Sequence, residues 1–231
     1  MKLVKLAAAS ALVLSGVVMS GAALASGGGG GSTGCGTIDE VRVSGGTLFI
    51  PRGQSNLNIM GWGNGTGGTI GSYDGMLEAA AEQCIIVAAA STSQSGSGRD
   101  VASVIEQAKR RSEAASNPKV CTSGHSQGGG GSFNAARRAG ADCVIAVQPD
   151  TVYTVRIDGP VSSGTDVVCI FTSGDTLAPA YPFNASNCRA NSPSGRYTQE
   201  SGSGSHFAPN SGTGGDPGRF QREYINRWLV D

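Results

Sequence analysis

The segment KVCTSGHSQGGGGSFNAARRAG, residues 119–140, places a Gly-x-Ser-x-Gly pattern between a predicted strand at 119–122 and a predicted helix at 132–139. A serine in a tight strand-to-helix turn presents its hydroxyl at the top edge of a parallel sheet. The backbone is so crowded there that the residues two before and two after the serine must be very small. Gly124 and Gly128 satisfy this requirement. Ser126 is therefore predicted to be a nucleophile, the alternative being a glycine-rich turn without a catalytic role.

On both sides of this segment, strand patterns alternate with helical patterns. We expect Asp100 to cap one of the helices. Alternation of this kind requires a mostly parallel sheet with helices on both faces, a three-layer α/β sandwich. The chain is long enough for one well-buried domain, which we expect to span residues 35–231. Further strands are predicted at 47–51, 57–61, 85–90, 144–148, 167–172 and 196–200, and further helices at 73–83, 101–115 and 220–230.

The first residues have the features of an export signal. Two lysines precede an apolar run, and Ala23-Leu24-Ala25 supplies a small-x-small cleavage pattern. We expect residues 1–25 to be a signal peptide cleaved near Ala25, and residues 26–34 to be a flexible segment rich in glycine and serine. The six cysteines all follow this region, and an even number in an exported chain predicts disulfides whose pairing the sequence leaves open. The protein is expected to be secreted, extracellular or periplasmic, without a stable membrane anchor.

Composition argues against several classes of partner. Lys and Arg number 17 and so do Asp and Glu, so the chain has no basic stripe for nucleic acid. Two histidines in unrelated settings and the absence of Cys-x-x-Cys spacing predict no metal site and no cofactor. Gly63-x-Gly65-x-x-Gly68 matches a dinucleotide fingerprint, but no acidic residue closes a βαβ unit at the expected place. A monomer is expected.

The general base follows by elimination. A serine hydroxyl is a poor nucleophile at neutral pH and needs an adjacent base. The side chain of His125, directly before Ser126, is expected to point away from the hydroxyl and to pack or form a structural hydrogen bond. The other histidine, His206, lies in a late loop after the predicted strand at 196–200. His206 is therefore the predicted base.

Two aspartates compete to orient this imidazole. Asp175 follows the strand at 167–172 and Asp150 follows the strand at 144–148, so both lie at carboxyl ends of strands, where sites of open α/β sheets gather. Asp166 begins a strand and so lies at the wrong edge. The chain order Ser, Asp, His holds with either candidate, and we expect Asp175 to be the acid with Asp150 as the alternative.

The glycine-rich loop at 62–68 follows an early strand. We expect a backbone N–H of this turn to join the N–H of Gln127 in an oxyanion hole. Three side chains of this loop, those of Trp62, Asn64 and Thr66, are candidate substrate-binding groups, although a core position suits Trp62 equally well.

Four motifs together resemble those of bacterial cutinase-like α/β-hydrolases, the group that includes polyester hydrolases and relatives of dienelactone hydrolase. The resemblance covers residues 45–230, and the motifs occur in the expected order. They are Gly61-Trp62-Gly63-Asn64-Gly65-Thr66-Gly67, Gly124-His125-Ser126-Gln127-Gly128-Gly129, Ser173-Gly174-Asp175-Thr176-Leu177-Ala178-Pro179 and Ser205-His206-Phe207-Ala208-Pro209.

The resemblance implies an α/β-hydrolase fold and a triad of Ser126, Asp175 and His206, with oxyanion donors from Gln127 and Gly65. Two positions depart from the family. Its polyester-degrading members carry a methionine where Gln127 stands, and a tryptophan in the loop where this chain has Gln148-Pro149-Asp150. Those residues help to clamp an aromatic polymer, so the resemblance does not carry that substrate over.

The sequence favours a secreted serine esterase, cutinase-like or polyesterase, that acts on small or polymeric esters through an acyl-enzyme. Only about eighteen residues separate the strands at 144–148 and 167–172, too few for the helical lid of a true lipase. The alternatives are an acyltransferase that uses the same triad and a catalytically silent binding domain on the same fold.

Overall fold

The computed structural model describes residues 34–231. The predicted signal peptide and all but the last residue of the predicted flexible segment lie outside the described residues. The described part is an α/β structure built on one eight-stranded sheet, whose strands lie in the order β1-β2-β4-β3-β5-β6-β7-β8. The strands are β1 Ile38–Val43, β2 Gly46–Pro51, β3 Asn58–Gly63, β4 Ile85–Ala90, β5 Val120–His125, β6 Cys143–Val147, β7 Asp166–Gly174 and β8 Tyr197–Ser205.

Five α-helices lie within the described residues, with short 3-10 or π segments before, between and after them. The α-helices are α1 Asp74–Ala81, α2 Arg99–Lys109, α3 Gln127–Ala139, α4 Ala185–Ala190 and α5 Gly215–Ile225. The shorter segments are Ile70–Ser72, Ser95–Ser97, Ala180–Asn184, Ala208–Asn210 and Asn226–Val230.

The sheet is parallel from β4 onward, and only β1 and β2 run antiparallel to their neighbours. Gly63 at the end of β3 pairs with Gly124, and His125 at the end of β5 pairs with Val147 of β6. The carboxyl ends of these strands are therefore level, and the loops that follow them meet at one edge of the sheet. This edge carries most of the residues singled out in the sequence.

Two apolar layers cover the faces of the sheet. On one face, Val104 and Ile105 of α2 and Phe133 of α3 pack on the strands. On the other face, Leu77 of α1 and Ile225 of α5 belong to a second buried cluster. Each such large side chain contributes roughly 1.5–3 kcal/mol when fully buried. The predicted sheet with helices on both faces is confirmed.

Three disulfides join all six cysteines, as Cys35–Cys84, Cys121–Cys143 and Cys169–Cys188. The second links directly paired residues of β5 and β6, the strands on either side of the Gly-x-Ser-x-Gly turn. Disulfides form and persist in oxidising compartments, so they fit an extracellular protein. No helix within residues 34–231 is both long and apolar enough to cross a bilayer.

Several element boundaries differ from the prediction. The strand β1 was not predicted, since its sequence IDEVRV carries three charges and its side chains are half-buried or exposed. Helix α2 ends at Lys109, and its N-cap is Gly98 in a left-handed conformation; Asp100 lies in the first turn and is not the cap. Helix α5 starts at Gly215, before the first strongly apolar residue of its stripe.

The largest difference is that α3 begins at Gln127, so four consecutive glycines belong to its first turns. Glycine lowers helix propensity, and for this reason the sequence places the start later. Close packing explains the exception. A Cβ on Gly130 would lie 2.3 Å from the Asp150 carbonyl oxygen, and one on Gly131 would lie 2.3 Å from that of Ser95. Helix α3 can approach these two loops only because the residues at Gly130 and Gly131 have no side chain.

Candidate active site

Ser126 occupies the turn between β5 and α3 in a strained backbone conformation. Its φ is 53° and its ψ is −115°, a region that non-glycine residues rarely adopt and that costs on the order of 1–3 kcal/mol. A Cβ on Gly124 would lie 2.4 Å from the Gly128 carbonyl oxygen, and one on Gly128 would lie 2.0 Å from that of Gly63. The two glycines of the motif therefore permit the tight turn, as the sequence requires.

Backbone hydrogen bonds hold this turn on both sides. The Ser126 N–H donates to the Val147 carbonyl at 3.1 Å. Its own carbonyl accepts from the N–H groups of Gly130 and Asp150, each at 3.0 Å. The serine is thus anchored to β6, to α3 and to the loop after β6, which leaves its half-buried side chain at the sheet edge.

His206 and Asp175 form a buried pair, and His206 lines the same cavity as Ser126. Nδ1 of His206 lies 2.9 Å from Oδ2 of Asp175, and the two side chains are 8% and 1% exposed. An ionised carboxylate only accepts hydrogen bonds, so Nδ1 carries the proton and Nε2 has its lone pair free. The imidazole is thereby held in the tautomer that a general base needs.

The environment of Asp175 keeps it ionised. Burial by itself raises the pKa of this carboxyl, but the hydrogen bond from His206 and those from the N–H groups of Ala178 and Leu177 outweigh it. Both N–H groups donate to Oδ1 at 2.9 Å. The pKa of Asp175 is therefore lowered from its ordinary value of 3.8.

The competing aspartate has a different role. The carboxylate of Asp150 accepts from the N–H groups of Val152, Tyr153 and Thr154 at 2.9–3.0 Å, and from the Thr154 hydroxyl at 2.7 Å. Its acceptor positions are taken up by the loop that it begins, an arrangement typical of a turn-forming aspartate. The structure brings Asp175, and not Asp150, to His206.

Ser126 and His206 line one open cavity of about 470 Å³ at this edge of the sheet. Asp175 does not line it, because it lies behind the imidazole. Several cavity residues were not singled out in the sequence. Leu177 and Phe207 lie beside Asp175 and His206 in the chain, so their position could have indicated them, whereas nothing in the pattern indicates Tyr73 or Asn210. The cavity lining comprises Gly65, Thr66, Gly67, Gly68, Ser72, Tyr73, His125, Ser126, Asp150, Thr154, Leu177, His206, Phe207 and Asn210.

Two backbone N–H groups are candidate donors to an oxyanion, and one predicted donor is already engaged. Gln127 is the first residue of α3, so its N–H is one of the helix-start donors without an intrahelical acceptor. The predicted donor Gly65 is corrected, because its N–H already donates to the Tyr73 hydroxyl at 3.1 Å. The next residue, Thr66, lines the cavity, and no acceptor for its N–H lies among residues 34–231. Thr66 replaces Gly65 as the candidate.

Two of the three candidate substrate-binding side chains are also corrected. Trp62 is fully buried in the core and donates from Nε1 to Oδ1 of Asn64 at 3.1 Å. Asn64 is fully buried as well, and its Nδ2 donates to the carbonyls of Ala90 and Thr92. These side chains brace the glycine-rich loop from behind, and only Thr66 reaches the cavity.

His125 is a buried side chain that forms part of the cavity floor. Its Nδ1 is 2.8 Å from the Tyr73 hydroxyl, and its ring packs on that of His206 with centroids 4.6 Å apart. Burial lowers its pKa to about 3, assisted by the neighbouring His206, so the ring is uncharged at neutral pH. The hydrogen bond and the packing agree with the structural role expected from the sequence.

No family model matches this chain, and a search of curated proteins found no match either. No group of three or more His, Cys, Asp or Glu side chains that could hold a metal ion comes together within residues 34–231. A functional interpretation of the site consequently depends on its geometry and chemistry.

Proposed function

We propose that this protein is a secreted serine hydrolase of the α/β-hydrolase fold that cleaves carboxylic esters through an acyl-enzyme. The observation that carries the proposal is the arrangement around one cavity. A serine in a strained strand-to-helix turn lies with a histidine whose Nδ1 is held 2.9 Å from a buried aspartate. The chain order Ser, Asp, His, with the serine after β5, is that of α/β-hydrolases.

The proposed mechanism begins when the Ser126 hydroxyl attacks the ester carbonyl carbon while Nε2 of His206 takes its proton. Asp175 holds the ring and stabilises the imidazolium. The N–H groups of Gln127 and Thr66 donate to the tetrahedral oxyanion, assisted by the positive end of α3. His206 then gives its proton to the leaving alcohol. In the second half of the reaction, water attacks the acyl carbon while His206 takes a proton from it, and that proton returns to the Ser126 oxygen as the free acid leaves.

The surroundings of the cavity favour a neutral, accessible ester. The oxygens of the Asp150 carboxylate already accept hydrogen bonds from their own loop, and His125 is uncharged at neutral pH, so neither side chain is free to bind a charged substrate group. Leu177 and Phe207 are 54% and 61% exposed at the cavity wall and present apolar surface to an acyl or alcohol group. The segment between β6 and β7 contains no helix that could cover the site. Small esters and ends of polymer chains fit this arrangement.

The decisive experiment is labelling of the purified protein with a fluorophosphonate, followed by mass spectrometry. We expect a single adduct on Ser126, no adduct in Ser126→Ala, and strongly slowed labelling in His206→Ala. Ser72→Ala is the matched control, since Ser72 lines the same cavity without contacting the triad, and it should label like the wild type. A folded wild type that stays unlabelled would contradict the proposal and favour a silent binding domain.

Hydrolysis is distinguished from acyl transfer by product analysis. With a p-nitrophenyl ester and an added alcohol, a hydrolase releases mainly the free acid, whereas an acyltransferase forms mainly the new ester. The open cavity gives water access to the acyl-enzyme, so we expect the acid to dominate.

A further inference from the structure

Gln148 is a fully buried residue directly after β6, and no role of its own was predicted for it from the sequence. Its φ of 42° lies in the left-handed region, which turns the chain sharply at the end of the strand. Its amide nitrogen Nε2 donates to the Thr172 hydroxyl at 2.7 Å and to the Ser205 carbonyl at 2.9 Å. One side chain therefore bonds to the two segments that carry Asp175 and His206.

The position of this amide in the sheet is unusual. Strand β7 lies between β6 and β8, so the Gln148 side chain crosses the end of β7 to reach β8. The pairing of β7 with β8 is irregular at this point. Thr172 pairs with Gly202, but Gly174 pairs with Ser205, so β8 carries one extra residue. Such a bulge disrupts the regular ladder of hydrogen bonds and bends the strand.

We infer that Gln148 is a positioning residue for His206, an inference that rests on the proposed function. The bulge interrupts the ladder between Gly202 and Ser205, and the Gln148 amide adds a second restraint, at the Ser205 carbonyl, to the pairing of Ser205 with Gly174. Since Ser205 directly precedes His206, this bond fixes the position of the backbone that carries the imidazole. The second bond, to Thr172, ties the same amide to β7 three residues before Asp175.

The chemistry of glutamine suits this role. Its amide group has two donors on one nitrogen, so it can serve a hydroxyl and a carbonyl at once. A methionine has a similar length but no donor, and an asparagine has the donors on a shorter stem. Misplacement of a catalytic group by about 1 Å can cost about a hundredfold in rate. Loss of the amide should therefore reduce catalysis more than binding.

The test compares Gln148→Met with Gln221→Met in the full chain. Gln221 is the matched control, because it is also fully buried and its Nε2 donates to the Ser123 hydroxyl at 2.9 Å, away from β8. Both variants lose a buried amide and should lose thermal stability to a similar extent. We expect Gln148→Met to lower kcat about a hundredfold at nearly unchanged KM, and to slow fluorophosphonate labelling in parallel. Gln221→Met should keep kcat within about twofold.

Two milder variants keep the test decisive if Gln148→Met does not fold. Gln148→Asn should lower kcat about tenfold, because its amide is too short to reach both acceptors. Thr172→Val removes one of the two acceptors but keeps the bond to Ser205, so it should lower kcat less than Gln148→Asn does. Wild-type kcat in Gln148→Met or Gln148→Asn would overturn the inference and leave Gln148 a purely structural residue. An unlabelled wild type would instead overturn the proposed function.

Discussion

The two sides of the cavity are held in different ways. On the nucleophile side, five consecutive residues form the turn, and its geometry depends on glycines that a single methyl group would bring into collision. On the base side, His206 meets Asp175 across 31 positions of the chain, and the Gln148 amide reaches Ser205 across 57. The first arrangement depends on steric fit of one short segment against itself and against the end of β3, and the second on hydrogen bonds between strands β6, β7 and β8.

The two sides should therefore respond differently to substitution. A collision in a close-packed turn cannot be relieved locally, so a small added group should affect the whole fold. A lost hydrogen bond on the base side leaves the sheet in place but lets the imidazole change its tautomer or position. Substitutions on the nucleophile side should therefore act mainly on stability, and those on the base side mainly on rate.

The largest effect is expected from Asp175→Asn. An amide can present its NH₂ group to Nδ1 and so favour the wrong tautomer, and we expect kcat to fall by roughly 10⁴ with little change in unfolding temperature. The matched control is Asp150→Asn, which should lose stability by about 1–3 kcal/mol, because the N–H groups of its loop lose charged acceptors. Its kcat should stay within about tenfold of wild type. Rates with a p-nitrophenyl ester and thermal unfolding give both readings, and the reverse ranking would assign the acid role to Asp150.

Gly128→Ala should have the next largest effect. The added Cβ would lie 2.0 Å from the Gly63 carbonyl oxygen, so β3 or α3 must move, and we expect a loss of about 3 kcal/mol or more in the free energy of unfolding. Gly164→Ala is the control, because nothing lies within 4 Å of its Cβ position. Urea unfolding measures both variants. Equal stabilities would show that the turn can relax and that its steric requirement is overstated.

The pH dependence of the free energy of unfolding should reveal the lowered pKa of His125. Its pKa is lowered from 6.5 to about 3 in the folded protein, chiefly by burial, so below pH 6.5 the unfolded chain binds a proton that the folded protein does not. The free energy of unfolding should thus fall as the pH drops from 6.5 towards 3. One proton corresponds to about 1.4 kcal/mol per pH unit, or about 2.5 kcal/mol between pH 7 and 4.5.

The variant His125→Asn tests this assignment. It should reduce the loss of stability between pH 7 and 4.5 by about 2.5 kcal/mol, whatever its stability at pH 7. Urea unfolding at the two pH values gives the difference directly. An unchanged pH slope would mean that the ring takes up a proton in the folded protein as readily as in the unfolded one.

The smallest effect is expected from Tyr73→Phe. The hydroxyl of Tyr73 accepts from the Gly65 N–H and contacts Nδ1 of His125, so it ties the glycine-rich loop to the turn that carries Ser126. Its loss should cost about 1 kcal/mol of stability. It should lower kcat only severalfold, since the N–H of Gln127 stays in place. Tyr153→Phe, at a largely exposed position, is the control and should change neither quantity. A loss of kcat as large as that of Asp175→Asn would make Tyr73 part of the chemistry.

Much of the fold could be predicted because its signals are local. The apolar runs of β4, β6 and β7 and the stripe of α2 predict buried elements, and their alternation predicts the parallel sheet. The start of α3 could not be predicted, because glycines at its first positions are favoured by close packing against the loops at Ser95 and Asp150. The disulfide pairing was likewise open, since it depends on which strands become neighbours.

For the candidate site, the serine turn could be predicted from residue pattern alone, and elimination among two histidines and three aspartates reduced its possible partners to very few. These inferences work because they depend on residue type and on short spacing along the chain. Four features became visible only in the folded chain: Asp175 rather than Asp150 meets His206, Trp62 and Asn64 face the core, Gly65 is already bonded, and Gln148 reaches Ser205. Each of these depends on how side chains from different strands are directed at one edge of the sheet, and that direction is set by packing and hydrogen bonds between segments far apart in the sequence.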